Sequence, residues 1–516
     1  MLKKCYRHVK SVDYILPAPV GGLNKRDPLS AMDRLDAIQM DNYIPLAGSI
    51  ELRPGYETYA KLADFEVSKK IETLACYNTS QTTRMIAVFD GLAYDVSSKT
   101  PSCFENISFS QNRCQSVQYK NRLFLLNGTD TPKVFYVDDQ NQTHLENWGF
   151  VGQDLNDTKI VNAGVSHEFL WFVEKNSTRA WVSGVGGNIA GTLESFDVSE
   201  VLKWGGHLIS VFNWTVDGGT GLDDYTCLMS SEGEVLIYKG YNPNDADNWS
   251  LMGSYKLSKP LGYQCVMPFQ GDVIIICQDG YVPLSKALSA NNAVVSSLVF
   301  SDKIRGLVLD RAAMYQHQNG WQGIIYAKKG YAIFNVPVGN NFEQHVMNIN
   351  TGAWCRFTNI HATCWCLYDG ELYFASGNAV YCFGKNFDDN GQAIEGLVEQ
   401  AYSSLSSENL KKIVLLKPKL RTSKDFRLII YTNMDYETRQ TSYYVNLSSD
   451  SGAKWGNAKW NDAAWFSLKT KKMQGQWLAN SATGFKASVV FKTKTAGNAI
   501  EWYETGIRFQ TGTAIL

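Results

Sequence analysis

Residues 350–383 read NTGAWCRFTNIHATCWCLYDGELYFASGNAVYCF, and this stretch decides the predicted fold. Its aromatic and β-branched runs alternate with turns at Asp369-Gly370 and around Gly377, a pattern typical of consecutive β-hairpins. Alternation places Leu372 and Phe374 on one face of a strand and Tyr373 on the other, so we expect each strand to be half buried. One hairpin cannot bury its apolar face alone, so the stretch predicts neighbours of the same kind.

The same layout recurs along the chain before this stretch. Apolar runs flank turns that contain a glycine or an asparagine, at Gly91, Gly128, Asn176, Gly233, Gly280, Gly330 and Gly377. Their spacing of roughly 40 to 60 residues matches a four-stranded propeller blade. Trp148, Trp249 and Trp354 mark a predicted fourth, outer strand before three of the next units. We therefore expect an all-β protein with a β-propeller of six or seven blades; ordinary β-sandwiches are the alternative.

The composition limits which partners are plausible. The formal net charge is −1, whereas a protein that neutralises duplex phosphates over a broad surface carries a basic excess. Near-neutral charge is compatible with a channel through which DNA slides without binding. No run of about 18 apolar residues occurs, and no apolar region follows the basic start 1–8, so we expect neither a membrane span nor a secretion signal.

No residue pattern points to a catalytic or metal centre. The eleven cysteines are odd in number and lack zinc-site spacing, which favours free, buried thiols in a reducing cytoplasm. The sequence has neither the H-E-x-x-H nor the G-x-S-x-G motif. We read the paired carboxylates as solvated loops rather than as acids of a glycoside hydrolase; they are Asp223 with Asp224, Asp245 with Asp247, and Asp388 with Asp389. We therefore expect no enzyme activity, no cofactor and no bound metal.

Three regions follow from the change of pattern along the chain. Residues 1–70 form an extended arm with little core of its own, in which the segment 27–32 predicts one helical turn. Residues 71–390 form the propeller. Residues 391–516 form a second β-rich domain that the segments 397–402 and 410–420 introduce. Strands are predicted over 426–431, 487–492 and 507–509, tryptophans in a turn-rich loop at 455, 460 and 465, and a final edge strand at 510–513.

Two local patterns in the second domain have a structural and a functional interpretation. Residues 448–455 fit the S-x-D-x-G-x-x-W turn motif of sialidase-like propellers, which is structural even in enzymes. Alternation places Lys417, Lys419 and Arg421 on one face of a strand. We expect a solvated face there, with contact to DNA or to an acidic neighbour as the alternative.

The arm resembles a known family. Its residues Pro19, Gly21, Gly22, Leu23, Asn24, Asp27, Asn42, Pro45, Arg53 and Gly55 form a pattern similar to the N-terminal arm of the tail nozzle, or packaged-DNA stabilisation, proteins of short-tailed phages. The stretch 350–354 and the strand 372–374 resemble the propeller of that family, and the region after 391 resembles its C-terminal β domain. The resemblance covers most of the chain, in fragments.

The resemblance implies a structural role in the virion tail, with assembly in the cytoplasm of the bacterial host. It implies a propeller at the distal end of the tail, and a β-sandwich-like platform, built from the arm and the C-terminal domain, that faces the tail adaptor. The implied partners are further copies of the chain in a ring, expected to be a homohexamer, together with adaptor or portal-side proteins, tail fibres or spikes, and packaged double-stranded DNA. A propeller glycosidase acting on host surface glycan and a propeller-type protein-interaction module are the alternatives.

A nozzle ring needs residues that face its channel. The segments 186–197, 217–224 and 241–249 are long, and we expect them to connect consecutive blades. Acidic side chains in such segments would repel phosphate and let DNA pass without binding. The candidates are Asp217, Asp223, Asp224, Asp245 and Asp247; plain solvent-facing connections are the alternative.

Overall fold

The computed structural model describes residues 11–62, 69–184, 188–217, 222–245, 247–289, 299–424, 426–438, 445–447 and 472–511. Within these ranges the protein is all-β with two short α-helices, as predicted. The chain divides into two compact units. Unit one comprises 1–57, 345–358 and 383–516, and unit two comprises 58–344 and 359–382. The first and the last described residues therefore both belong to unit one.

The arm begins with five short strands: β1 (Ser11–Pro17), β2 (Gly22–Leu23), β3 (Asp36–Asp41), β4 (Tyr43–Pro45) and β5 (Ile50–Leu52). The helical turn predicted over 27–32 is wrong, because this segment forms irregular turns. The Asn24 side-chain oxygen accepts the backbone N–H groups of Arg26 and Asp27, each at 3.0 Å, so it fixes a local turn immediately before the segment.

Unit two begins near β6 (Tyr56–Lys61) and continues with four antiparallel sheets of four strands each. In chain order these contain β7 (Thr73–Asn78), β8 (Thr83–Phe89), β9 (Leu92–Asp95) and β10 (Ser102–Ser108); β11 (Gln115–Tyr119), β12 (Arg122–Leu126), β13 (Lys133–Val137) and β14 (Thr143–Asn147); β15 (Ile160–Ser166), β16 (Phe169–Glu174), β17 (Arg179–Gly184) and β18 (Asn188–Asp197); and β19 (Leu208–Asp217), β20 (Leu222–Ser230), β21 (Glu234–Lys239) and β22 (Ser250–Lys256).

Three further sheets complete unit two. The fifth contains β23 (Val266–Phe269), β24 (Asp272–Cys277) and β25 (Gly280–Pro283), and helices α1 (Leu284–Ser289) and α2 (Arg305–Tyr315) follow it. The next strands are β26 (Gln322–Tyr326), β27 (Tyr331–Val338) and β28 (Asn341–Asn348), whose second half belongs to unit one. β29 (Trp354–Phe357) follows and lies wholly in unit one. The seventh sheet contains β30 (Cys364–Tyr368), β31 (Glu371–Ser376) and β32 (Ala379–Phe383), and β6 pairs with β32 as its fourth strand.

The sheets of unit two contact one another in a cyclic order. β7 contacts β11, β11 contacts β15, β15 contacts β19, β19 contacts β24, β23 contacts β26, β26 contacts β30, and β30 contacts β7. The contact between the last sheet and the first is apolar: Leu74, Met85 and Val96 pack with Cys364, Cys366 and Val380. Tyr59 of β6 adds a 2.6 Å hydrogen bond to the Ser97 carbonyl beside the first sheet.

Both faces of most inner strands are buried, so the prediction of half-buried strands is wrong. Leu123 and Leu125 belong to the core between the first and second sheets, whereas Phe124 and Leu126 belong to the core between the second and third. Leu372, Tyr373 and Phe374 are likewise all buried. The alternation is real, but each face meets a neighbouring sheet instead of water.

Most predicted turns lie between the second and third strands of a sheet. Backbone φ is positive at Gly91, Gly128, Asn176, Gly233, Gly280 and Gly377, which is why glycine or asparagine stands there. Gly330 also has positive φ but lies between the first two strands of its sheet. Trp148 directly follows β14 and Trp249 directly precedes β22, so each adjoins a fourth strand, while Trp354 begins β29 in unit one.

Unit one completes its two sheets with strands from the end of the chain, and these include the three strands predicted over 426–431, 487–492 and 507–509. The strands are β33 (Ile394–Gln400), β34 (Lys411–Thr422), β35 (Phe426–Met434), β36 (Val445–Leu447), β37 (Lys472–Gln474), β38 (Leu478–Gly484), β39 (Ala487–Thr495) and β40 (Ile500–Thr511). One sheet runs β37-β34-β40-β5-β4, with β1 beside β40 and β38 beside β34. In the other, β29, β3, β33, β39, β35 and β36 follow one another, and β2 pairs with β3.

Aromatic side chains from the two sheets of unit one meet in its core. Phe491 of β39 stacks on Trp502 of β40 with ring centroids 4.5 Å apart, and Tyr43 of β4 meets Phe491 edge to face at 5.8 Å. The Tyr43 hydroxyl lies 2.9 Å from the Thr493 hydroxyl, so its polar end is satisfied. The predicted edge strand is wrong at Gln510, which pairs with Ser11 of β1 and with Lys412 of β34. The motif at 448–455 and the tryptophans at 455, 460 and 465 lie outside the described residues.

Candidate functional site

The first arm residues that resemble the nozzle family, from Pro19 to Asp27, form one compact turn. Asn24 is 1 % exposed, and its side-chain amide donates to Asp27 and to Asp36, each at 2.8 Å. Gly22 has φ +79°, and a Cβ there would lie 2.6 Å from the Trp354 carbonyl oxygen. A Cβ on Gly21 would lie 2.3 Å from the Asp36 carboxylate. Both glycines therefore stand where the backbone approaches its neighbours too closely for a side chain.

The leucine and the prolines of the resemblance pattern also make contacts within unit one. Leu23 is 2 % exposed and pairs with Ala37. The Pro19 carbonyl accepts the Gly22 amide at 3.1 Å. Pro45, further along the arm, is the last residue of β4, and its carbonyl accepts the Asn348 side-chain amide at 2.9 Å.

Arg53 is the centre of a buried polar junction in unit one. Its side chain is fully buried and binds the Asp389 carboxylate with both terminal nitrogens, at 2.8 and 2.6 Å. Its Nε donates to the Asn42 side-chain oxygen at 2.8 Å, and its remaining donors reach the carbonyls of Pro54 and Thr358. All five donors of the guanidinium therefore have acceptors, which is the condition for burying such a charge at modest cost.

Asn42 extends this junction to two further segments. It adopts φ 60°, a left-handed conformation that asparagine tolerates. Its side-chain amide donates to the Thr358 hydroxyl at 2.8 Å and to the Glu395 carbonyl at 2.7 Å. Gly55 lies beside the junction, where a Cβ would come within 1.8 Å of the Asp388 carbonyl oxygen. The arm, the segment 354–358 and the region after 386 therefore meet around one buried ion pair.

Asp389 corrects one sequence interpretation. We read Asp388 with Asp389 as a solvated loop, yet Asp389 is 6 % exposed and is the counter-ion of Arg53. Arg53 and Asp389 are separated by 336 positions, so no local sequence pattern could have predicted their pairing. Asp388 caps the same turn by accepting the Gly391 amide at 2.7 Å.

The basic face of β34 is also engaged within unit one. Lys419 lies 3.2 Å from the Glu504 carboxylate, Arg421 lies 3.9 Å from the Glu501 carboxylate, and the Lys417 ammonium lies 5.7 Å from the centre of the Trp477 ring. These acidic residues belong to β40, the adjacent strand. Lys419 and Arg421 are both exposed, so the expected solvated face is confirmed, and their acidic contacts lie within the same chain.

The acidic segments of unit two do not connect consecutive sheets, which corrects our expectation. Residues 188–197 are strand β18, 217–224 joins β19 to β20, and 241–249 joins β21 to β22, all inside sheets. Asp217 ends β19. Asp223 pairs with Lys239 at 3.0 Å, and Asp224 accepts from Asn213 at 3.3 Å. Asp245 accepts the Asn248 side-chain amide at 2.8 Å, and Asp247 is exposed.

A polar cavity of about 210 Å³ opens in unit two. Four sheets contribute its walls through segments that begin or end strands, and its lining residues are Gln111, Arg113, Gln115, Leu126, Asn127, Val161, Lys175, Gly262, Tyr263, Gln264, Asn319, Gly320 and Trp321. Two are cationic, five carry amides and none is acidic. Burial raises the pKa of the Tyr263 hydroxyl, so this group remains a donor at neutral pH. Sequence reasoning missed this site because its residues come from separate, unremarkable turns.

The described parts of the chain carry free thiols but no cluster of metal ligands. Within these parts, no group of three or more His, Cys, Asp and Glu side chains is arranged to hold a metal ion. The ten described cysteines are free thiols, and eight of them are buried. Burial raises the pKa of the Cys364 thiol to about 11 and that of Cys265 to about 12, so both are protonated at neutral pH.

No helix in the described ranges is both long and apolar enough to cross a membrane. Comparison of the sequence with protein-family models and with curated proteins gave no match.

Proposed function

We propose that this protein is a structural component of a virion, the tail nozzle of a short-tailed phage. In this role it extends and closes the distal end of the DNA channel, retains the packaged DNA, and opens for ejection. The work is mechanical and requires positioning of domains and subunits rather than an active site.

The observation that carries this proposal is the buried junction around Arg53. The arm residues that resemble the nozzle family are the ones that make its contacts: Arg53 binds Asp389, and Asn42 binds Thr358 and the Glu395 carbonyl. Breaking a buried ion pair is strongly destabilising, so this contact fixes the arm firmly against the C-terminal strands of unit one. We infer that the arm and the C-terminal strands form one platform of β-sandwich type, as the resemblance implies.

We also propose that unit two is a β-propeller of seven blades. The cyclic order of its sheets supports this. Seven sheets contact one another in sequence, and the last contacts the first. β6, from before the first sheet, supplies the fourth strand of the last one. Pairing the first and last parts of the domain within one blade is a direct way to close such a ring.

The proposed assembly is a closed ring of identical subunits, six in number by the family resemblance. Head-to-tail contacts close into a ring when their rotation returns to the start, and such a ring leaves an axial opening. The proposed partners are the tail adaptor on the platform side, fibres or spikes at the periphery, and double-stranded DNA in transit.

We propose that at least one of the acidic hairpins of unit two, 217–224 and 241–249, lies at this opening. The test replaces exposed acids at both hairpins, Asp224→Lys with Asp247→Lys, and measures DNA ejection from purified particles. We expect slower ejection, because lysines there bind phosphate. The matched control, Glu105→Lys with Asp139→Lys, changes two other exposed acids; equal ejection in both variants contradicts this placement.

The function itself is tested by deleting the gene from the phage or prophage that carries it. We expect particles that package DNA but lose it, and that lack density at the distal end of the tail. A plasmid copy of the chain restores retention. Particles that keep and eject DNA normally without the protein contradict the proposal.

A further inference from the structure

The polar cavity of unit two has no role in the proposed nozzle function, yet it is built like a binding site. Arg113 lines it, and the side chain of Arg113 is 16 % exposed. Among the described residues its buried Nε has no hydrogen-bond partner. Its Nη2 lies 3.6 Å from the Glu72 carboxylate and 3.5 Å from the Thr363 carbonyl, both at the limit of a useful contact. A buried donor without an acceptor is costly, so the described neighbours of Arg113 do not fully satisfy its guanidinium.

The other polar groups of the cavity supply further donors and acceptors. Gln111, Gln115, Gln264 and Asn319 are among its lining residues, and a side-chain amide can both donate and accept. The exposed Lys175 adds a second positive charge. Asn127 also lies in the wall, but its side chain is used internally by Asp130 and by the Gln111 carbonyl. The Glu72 carboxylate, 3.6 Å from Nη2 of Arg113, is not among the lining residues.

The charge and size of the cavity limit what it can hold. With two cations and no carboxylate in its lining, it favours anions and disfavours amines. Its volume of about 210 Å³ is smaller than that of a typical drug-sized pocket. A small inorganic anion would leave the four amides unused, whereas a ring bearing several hydroxyls would pair with them.

We propose that this cavity binds a single acidic sugar, a pyranose ring carrying a carboxylate. Arg113 and Lys175 face the carboxylate, and the amides of Gln111, Gln115, Gln264 and Asn319 hold the hydroxyls. The site recognises the sugar without cleaving it, and the inference does not depend on the nozzle role.

The test is binding of sugars to the purified full-length chain, measured by saturation-transfer NMR and calorimetry. The acidic probes are glucuronate, galacturonate and N-acetylneuraminate, and the comparison probes are glucose, acetate and inorganic phosphate. We expect at least one sugar acid to bind at millimolar concentration or below, and glucose and acetate to bind at least about tenfold more weakly. Absence of binding by all three sugar acids, or phosphate binding as tightly as they do, overturns the proposal.

Variants locate the binding in this cavity. Arg113→Gln and Lys175→Gln each lower the affinity for the sugar acid by about tenfold or more, because each removes a charge-assisted hydrogen bond. Lys99→Gln, an exposed lysine outside the cavity, leaves the affinity unchanged. Lys175 is exposed, so its replacement keeps the test valid even if Arg113→Gln destabilises the fold. Unchanged affinity in folded Lys175→Gln overturns the assignment.

Discussion

At the scale of single residues, Arg53 is the position on which unit one depends most. Its charge is fully buried, and every donor is matched by an acceptor from the arm, from Thr358 or from Asp389. Removal of one partner of a buried ion pair leaves the charge of the other partner uncompensated, and this lowers the free energy of unfolding by about 3–5 kcal/mol. By contrast, an exposed pair contributes about 0–1 kcal/mol.

We predict that Arg53→Met accelerates hydrogen exchange in β5 and β33 by on the order of 100-fold or more, measured by mass spectrometry of the full chain. Arg26→Met, which removes the partly exposed pair with Asp27, is the control and should change exchange little. The double variant Arg53→Met with Asp389→Leu should recover much of the loss, since no unpaired charge remains. Equal exchange in Arg53→Met and Arg26→Met would show that the junction is not stabilising.

Gly55 and Gly48 provide a second matched comparison in the arm. A Cβ at Gly55 would lie 1.8 Å from the Asp388 carbonyl oxygen, whereas one at Gly48 would meet nothing within 4 Å. We predict that Gly55→Ala lowers the melting temperature of unit one by several degrees, because overpacking costs about 1–3 kcal/mol. Gly48→Ala should leave it unchanged or raise it slightly. Calorimetry checks both, and a neutral Gly55→Ala would rule out the close approach.

Arg53 also shows how far sequence reasoning reaches at this scale. The resemblance singled out Arg53, Asn42 and Gly55 as residues of interest. It did not identify Asp389 as the partner, because the pair forms only when strands distant in sequence come together. Residues whose role depends on local backbone shape, such as Gly22 with its positive φ, were predictable from the chain alone.

At the scale of elements, β6 connects the two ends of unit two. It pairs with β32, and its Tyr59 meets Tyr373 edge to face with ring centroids 4.9 Å apart. The Tyr59 hydroxyl bonds the Ser97 carbonyl next to the first sheet. β6 therefore contributes to the contact by which the last sheet meets the first.

We predict that two truncations of the arm have different effects on unit two. Removal of residues 1–45 keeps β6 and should leave the melting transition of unit two unchanged, although it removes β1 to β4 from unit one. Removal of residues 1–62 also removes β6, so the transition of unit two should fall, because the seventh sheet loses its fourth strand. Calorimetry of both variants measures this. Equal transitions would mean that β6 does not contribute to unit two.

Strands and their turns were largely predictable, because a period of two between glycine-rich turns is a local signal. The pairing of β6 with β32 was not, since the arm was assigned up to residue 70 and its partner lies more than 300 residues away. Helix α2 was also missed. Its buried residues are Leu307, Val308 and Ala312, which make too narrow an apolar stripe to be recognised in the sequence.

At the scale of the whole molecule, the proposal is that the chain works as one subunit of a ring at the end of a phage tail. All-β architecture and near-neutral charge were predictable from composition and repeat. Ring formation depends on surfaces between copies, for which a single chain provides no partner, so it is the part of the account that needs direct observation.

Electron cryomicroscopy of particles that contain the protein tests the central claim most directly. The account predicts a closed ring of identical subunits at the distal end of the tail, coaxial with it, with an opening wide enough for duplex DNA. A tag fused to the C-terminus of the chain should map to that ring. Density for the tagged chain on the side of the particle, or as single copies without an axial opening, would contradict the account.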